Sequence, residues 1–300
     1  MDRTYIKYAA SFFLLAIAGL VTSCDYIKTP YPKNQGPSVG PGSGYVKKVL
    51  IEDYTAQQCI YCPQAAIIGE HLRSNNPGRI VTIGVHVSSL AQPGPAPFTY
   101  DFRTTAGTNY DATFGISASG LPSGMVDRIQ YQGSFPVDRN NWQAAAAAEL
   151  ALPCTAYLTI TNLYDPLTRV LNTSVKTRFL APLTSTYNLV VLLTEDSIVK
   201  PQKDIDSSQY PNSIVMNYVH HFALRAAVNG ASGVGEQLSL PHNPTISGDS
   251  LVKNYSYTVP ASFPATGQTI PCNDKHCYIV AFLYDVSTST VLQVEEQKLR

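Results

Sequence analysis

The sequence predicts two folded parts, an α/β layer structure followed by an antiparallel β-sandwich. Residues 47–150 alternate strand-like and helix-like runs, the pattern of strands layered against helices. After Pro153 the strand-like runs follow one another with turn residues between them, the pattern of an all-β sandwich. The length of 300 residues suggests about two domains. A composition 44% hydrophobic and 14% charged supplies a sizeable core and excludes disorder as the main state. The expected division is a leader over 1–23, a tether over 24–45, the α/β part over 46–152 and the sandwich over 153–300.

The leader carries Arg3 and Lys7 before an apolar run over 9–21. That run is shorter than the roughly 20 residues needed to span a bilayer. Leu20-Val21-Thr22-Ser23-Cys24 resembles a bacterial lipobox, which implies cleavage before Cys24 and lipidation of that cysteine. The competing reading is an ordinary signal peptide with a chance cysteine. Acyl chains contribute about 0.8 kcal/mol per buried CH₂, so a multiply acylated Cys24 is a firm membrane anchor. The expected location is therefore the outer membrane, facing the periplasm or the surface. Pro30, Pro32, Gly36, Pro37, Gly40, Pro41 and Gly42 make the next stretch a tether.

The elements follow in order. Val49, Leu50 and Ile51 form a short apolar run of the kind buried on both faces. Ala65, Ala66, Ile67, Ile68 and Leu72 lie on one side of a helix, and Pro63 suits its first turn. A turn over 75–78 leads to a strand over 79–87. A proline-rich loop over 88–99 follows, then an imperfect helix over 102–114 and a strand over 125–129. Residues 137–150 read as a helix with Asp138 as N-cap. Strand-like runs then occupy 155–164, 169–179, 187–194, 214–228, 250–259 and 278–294, with 220–228 also compatible with a helix.

Cys59 and Cys62 fall where the first strand hands over to the first helix. The unpaired N–H groups and dipole of a helix start favour a thiolate there, and a CxxC at that junction is the local mark of a thiol–disulfide exchanger. A structural disulfide or an idle pair is the competing reading. A structural zinc site wants four ligands, and no second pair has a suitable spacing.

The run 53–62, with Gly120-Leu121-Pro122-Ser123 later, resembles the thioredoxin superfamily. With Glu52-Asp53-Tyr54-Thr55 and Met125-Val126-Asp127-Arg128, the whole mature layout resembles the outer-membrane-protein-28 family of thioredoxin-like bacterial lipoproteins. The resemblance implies a thioredoxin-like domain followed by an Ig-like sandwich, an architecture more than an activity. It implies Cys59 as the exposed nucleophile and Cys62 as the more buried resolving thiol. It implies Asp53 as proton acceptor for Cys62, a role in which a buried carboxyl with a raised pKa works well. A solvated Asp53 is the alternative, and Glu52 is a second candidate. Pro122 matches a cis-proline facing the cysteines, against an ordinary trans turn. Leu121 departs from the Thr, Val or Ile common before that proline.

Setting Cys24 aside leaves an odd number of cysteines. Cys272 and Cys277 are expected to form a small-loop structural disulfide, with a metal contact shared with His276 as the weaker alternative. Cys154 reads as a small buried hydrophobe. Lys plus Arg and Asp plus Glu are 21 each, so charge gives no reason to expect nucleic acid. No cofactor or metal is expected. The functional expectation is thiol–disulfide exchange with extracytoplasmic protein thiols or disulfides. The alternative is a binding, adhesion or scaffold lipoprotein with a structural CxxC.

Overall fold

The computed structural model describes residues 44–206, 211–265 and 268–300. The leader, the proposed lipidation site Cys24 and nearly all of the tether lie outside the described residues. Strands β1 (Val49–Thr55) and β2 (Ile80–His86) pair in parallel and are joined through helix α1 (Cys62–Asn75). Helix α2 (Thr105–Phe114), strand β3 (Ser123–Val126) and helix α3 (Trp142–Leu150) follow, with β3 antiparallel to β1. The remaining strands are β4 (Ala156–Asp165), β5 (Val170–Phe179), β6 (Tyr187–Glu195), β7 (Ile198–Lys203), β8 (Ile214–His220), β9 (Ala223–Ala227) and β10 (Glu236–Gln237). After them come β11 (Ser250–Thr258), β12 (Ser262–Ala265), β13 (Gln268–Pro271), β14 (Cys277–Asp285) and β15 (Val291–Lys298).

One eight-stranded sheet runs through both halves in the order β15-β14-β6-β9-β2-β1-β3, with β10 on β6. The division expected at residues 152 and 153 is therefore not a boundary, and residues 43–300 group as one compact unit. The halves join where Gly84 pairs with Ala223 and the Gly84 amide donates to the Phe222 carbonyl at 2.9 Å. A Cβ at Gly84 would stand 3.3 Å from the His221 carbonyl oxygen, so a bare glycine lets the two backbones meet.

The sheet curls until its ends approach. The Val291 amide donates to the Asp127 carbonyl at 2.8 Å, and the Gln293 side chain accepts from the Lys48 amide at 2.7 Å. Lys47, almost fully buried, spans the same seam, its ammonium 2.5 Å from the Asp127 carboxylate.

Period-two alternation assigns the faces. Leu50, Tyr54, Ile83, Val85, Leu192 and Phe282 point to the inside of the curl. Val49 and Ile51 point outward against Ala65 and Leu72 of α1 and Trp142 and Ala145 of α3. In the second half the outward residues Leu189, Val191 and Ile279 meet Leu158, Val175 and Phe179 of the three-stranded sheet β11-β5-β4. A two-layer β arrangement is thus present, but one of its layers is the sheet that also carries β1–β3. Each fully buried Leu, Ile or Phe contributes about 1.5–3 kcal/mol, so these faces hold the halves together.

Several element limits differ from expectation for local reasons. The strand expected over 125–129 stops at Val126 because Asp127 and Arg128 have φ of 45° and 52°. The run over 214–228 is two strands, broken at Phe222 with φ 46°, and 220–228 is not helical. Asp138 caps a short 3₁₀ turn over Arg139–Asn141, and the α-helix starts at Trp142. Among the described residues the hairpin of β7 and β8 pairs with no other strand, and β7 has no counterpart in the expected elements.

Candidate active site

Strand β1 delivers the candidate chemistry. After Thr55 the chain turns through 56–61 and enters α1 at Cys62, with Pro63 in the first turn. Cys59 and Cys62 are joined by a disulfide, their Cα atoms 5.4 Å apart. Both are buried, at 3% and 2% exposure, among Ala56, Ala91 and Leu121. Cys59 is thus not the exposed cysteine that the resemblance implied.

Two segments cover it. From the proline-rich side, the Leu90 carbonyl accepts from the Gln58 amide at 3.2 Å, and the Gln57 side chain donates to the Tyr100 carbonyl at 2.7 Å. From the β7–β8 side, the Gln202 side-chain amide donates to the carbonyls of Cys59 at 2.9 Å and Ala56 at 3.1 Å. The Lys203 amide donates to the Gln57 carbonyl at 2.9 Å and the Ile205 amide to the Ile60 carbonyl at 2.8 Å. Tyr61, inside the CxxC, keeps 44% of its surface exposed. The Leu121–Pro122 peptide bond is cis, and Leu121 packs against the cysteine cluster.

The two acids of β1 have different surroundings. Glu52 points into the curl and receives two hydrogen bonds of 2.8 Å from the Arg128 guanidinium, which also lies over the rings of Tyr110 and Phe282. Asp53 points to the opposite side, the face covered by α1, and is 9% exposed. Its Oδ1 has no hydrogen-bond partner, and burial pushes its pKa up to about 7. Glu52, the second candidate for proton transfer, is held in its ion pair.

Beside Asp53 on the α1 face, β2 places Gly84 and then His86. The His86 ring stacks on Phe102 at 4.6 Å, and His220 of β8 lies 4.7 Å from the same ring. Burial pushes the pKa of His86 well below its ordinary value and that of His220 down to about 3. Both ring nitrogens of His86 lack partners. His221 turns elsewhere, to Asp196 at 2.8 Å and to Glu70 of α1 at 3.2 Å. Burial alone would lower the His221 pKa, but the two carboxylates outweigh it and hold it above the ordinary range. Gln202 and His220, which close the site from the hairpin, carry no local sequence signal; only pairing across more than 100 residues brings them there.

The second cysteine pair lies apart from these residues in the fold, at the start of β14. The disulfide expected there is not formed: the Cys272 and Cys277 sulfurs are 3.6 Å apart and both residues are free thiols. The hydrogen bond from Cys277 holds the Cys272 thiol below its usual range and raises that of Cys277. Cys154 is half-buried, its thiol donating to the Ala156 carbonyl at 3.0 Å. Among the described residues no three His, Cys, Asp or Glu side chains gather as a metal site would require.

HBP35 of Porphyromonas gingivalis shares the fold with a TM-score of 0.60 at 16% identity, over 86% of this chain and 77% of that one. A domain of the outer membrane lipoprotein Omp28 from Porphyromonas gingivalis aligns over 49% of this chain and 89% of its own, at 22% identity and a TM-score of 0.30. No curated protein matches the chain. Among the described residues no helix is long and apolar enough to cross a membrane. A family model described as outer membrane protein Omp28 matches residues 108–300. The chain therefore belongs to the Omp28 family, and its location is the outer membrane.

Proposed function

We propose that this outer-membrane protein exchanges disulfides with thiols of other envelope proteins at Cys59–Cys62. In this reading β1–β3 and α1–α3 form a thioredoxin-like half and β4–β15 supply an Ig-like sandwich layer. The observation that carries it is Asp53. An unpaired buried carboxyl costs stability, and such groups cluster at functional sites. This one lies on the strand that leads into the CxxC and on the face that α1 covers.

The step balances without a cofactor. A partner thiolate attacks the Cys59 sulfur, a mixed disulfide forms, and the Cys59–Cys62 bond breaks with Cys62 leaving as thiolate. Protonated Asp53 donates its proton to that leaving sulfur. A second partner thiol, deprotonated by solvent, then displaces Cys59. The partner dithiol becomes a disulfide and Cys59–Cys62 becomes a dithiol; the reverse reaction reduces a partner disulfide.

Burial of Cys59 favours a second reading, in which the disulfide is structural and the protein is a binding or scaffold lipoprotein. The experiment that separates the two is a Cys62→Ser trap in the native envelope. Exchange predicts mixed disulfides through Cys59, abolished in Cys59→Ser. A structural bond predicts none.

A further inference from the structure

The residues that cover Cys59 make contacts of a particular kind. The Lys203 and Ile205 amides, two positions apart, point to the CxxC turn, while the Asp204 amide between them donates to the Ser213 carbonyl at 2.8 Å. That alternation is the behaviour of an extended strand bonded along both edges. One edge serves the hairpin, and the other serves the carbonyls of Gln57 and Ile60. The Gln202 side chain satisfies those of Ala56 and Cys59. Buried carbonyls need partners, so whatever replaces this segment must offer donors at the same spacing. An extended polypeptide does so for Gln57 and Ile60 with its own backbone, as in strand addition to an exposed edge, and a side-chain amide such as that of Gln202 completes the set.

We infer that residues 202–205 are an internal occupant of a docking edge, and that the partner at Cys59 is an extended polypeptide segment that takes their place. The inference rests on the exchange reading for the meaning of "partner". It explains how a buried disulfide can serve a macromolecule: closed while the chain's own segment is seated, open when the segment is displaced. Cys59 then reacts fastest with a partner already bound along 56–60.

The test uses the folded mature chain with Gln202→Ala and Ile205→Pro, which remove three of the four hydrogen bonds to the carbonyls of 56–60. Hydrogen exchange of β1 and β2 amides reports whether the fold is kept. Gln202→Ala alone leaves every backbone donor in place and gives a smaller effect in the same direction. Two rates are read: iodoacetamide labelling of Cys59 after reduction, and capture of a disulfide-bearing unstructured peptide in a Cys62→Ser background. Both are expected to rise at least about tenfold on opening, the loss of two or three hydrogen bonds from a local equilibrium. Unchanged labelling with β1 and β2 still protected overturns the inference. Equal peptide capture by closed and opened forms also overturns it and leaves the exchange reading standing. Faster labelling with no peptide capture overturns the proposed partner and the exchange reading together.

Discussion

Glu52 and Asp53 are neighbours in the chain and point to opposite sides of one strand. Inside the curl, Glu52 meets a guanidinium held among aromatic rings, and every charge has a partner. On the helix side, Asp53 is nearly as buried, but its Oδ1 has no partner. The comparison separates two uses of a buried acid. A paired one fixes where strands and loops sit; an unpaired one retains a proton near neutral pH and is free to give it away.

The largest effect is expected at the paired acid. Glu52→Ala leaves the Arg128 charge buried and alone, so chemical denaturation of the variant should show a loss of about 3–5 kcal/mol. Asp53→Asn should do the opposite. The folded-state pKa of Asp53, about 7, lies above the ordinary 3.8, so the folded state binds the extra proton between those values. Its contribution is then lost as pH rises through 7. At pH 8 the Asn variant should be more stable than the parent chain, by on the order of a few kcal/mol. A variant no more stable at pH 8 than at pH 4, relative to the parent, breaks the comparison.

An effect of opposite sign comes from His86 and His220, whose folded pKa values lie below the ordinary 6.5. The unfolded chain binds protons first, so stability falls as pH drops below 6.5. Titrating unfolding from pH 7 to 4 in the Asp53→Asn chain, where the opposing carboxyl is absent, should show a loss of several kcal/mol, flattened when His86→Phe and His220→Phe are added. The smallest concerns Cys272 and Cys277. Oxidation to the bond expected from the compartment closes a short loop worth about 2 kcal/mol at most. Unfolding midpoints with and without reductant, in a Cys59→Ser/Cys62→Ser background, read that difference directly.

Much of this was legible in the residues. The apolar run at 49–51, the helix after Pro63 and the strands from 156 to 179 followed from period and turn chemistry alone. The CxxC stood out by spacing, Asp53 only through the family resemblance, and the α1 face of β1 follows from strand alternation. What the residues did not disclose depends on distant pairing. Nothing local in 198–220 announces a hairpin seated on the cysteine turn. Nothing in the composition after Pro153 reveals that β6, β9 and β14 continue the sheet begun by β1. Exposure of Cys59 is what the family resemblance implies, but a covering segment from elsewhere in the chain buries it.

The most direct measurement is the rate at which a small dithiol reduces Cys59–Cys62, followed from pH 5 to 9 in the parent chain and in Asp53→Asn. If Asp53 supplies the proton to Cys62, the parent's advantage is largest at low pH and disappears as pH rises through about 7. A rate ratio that stays constant across that range would mean the unpaired acid plays no part in the chemistry.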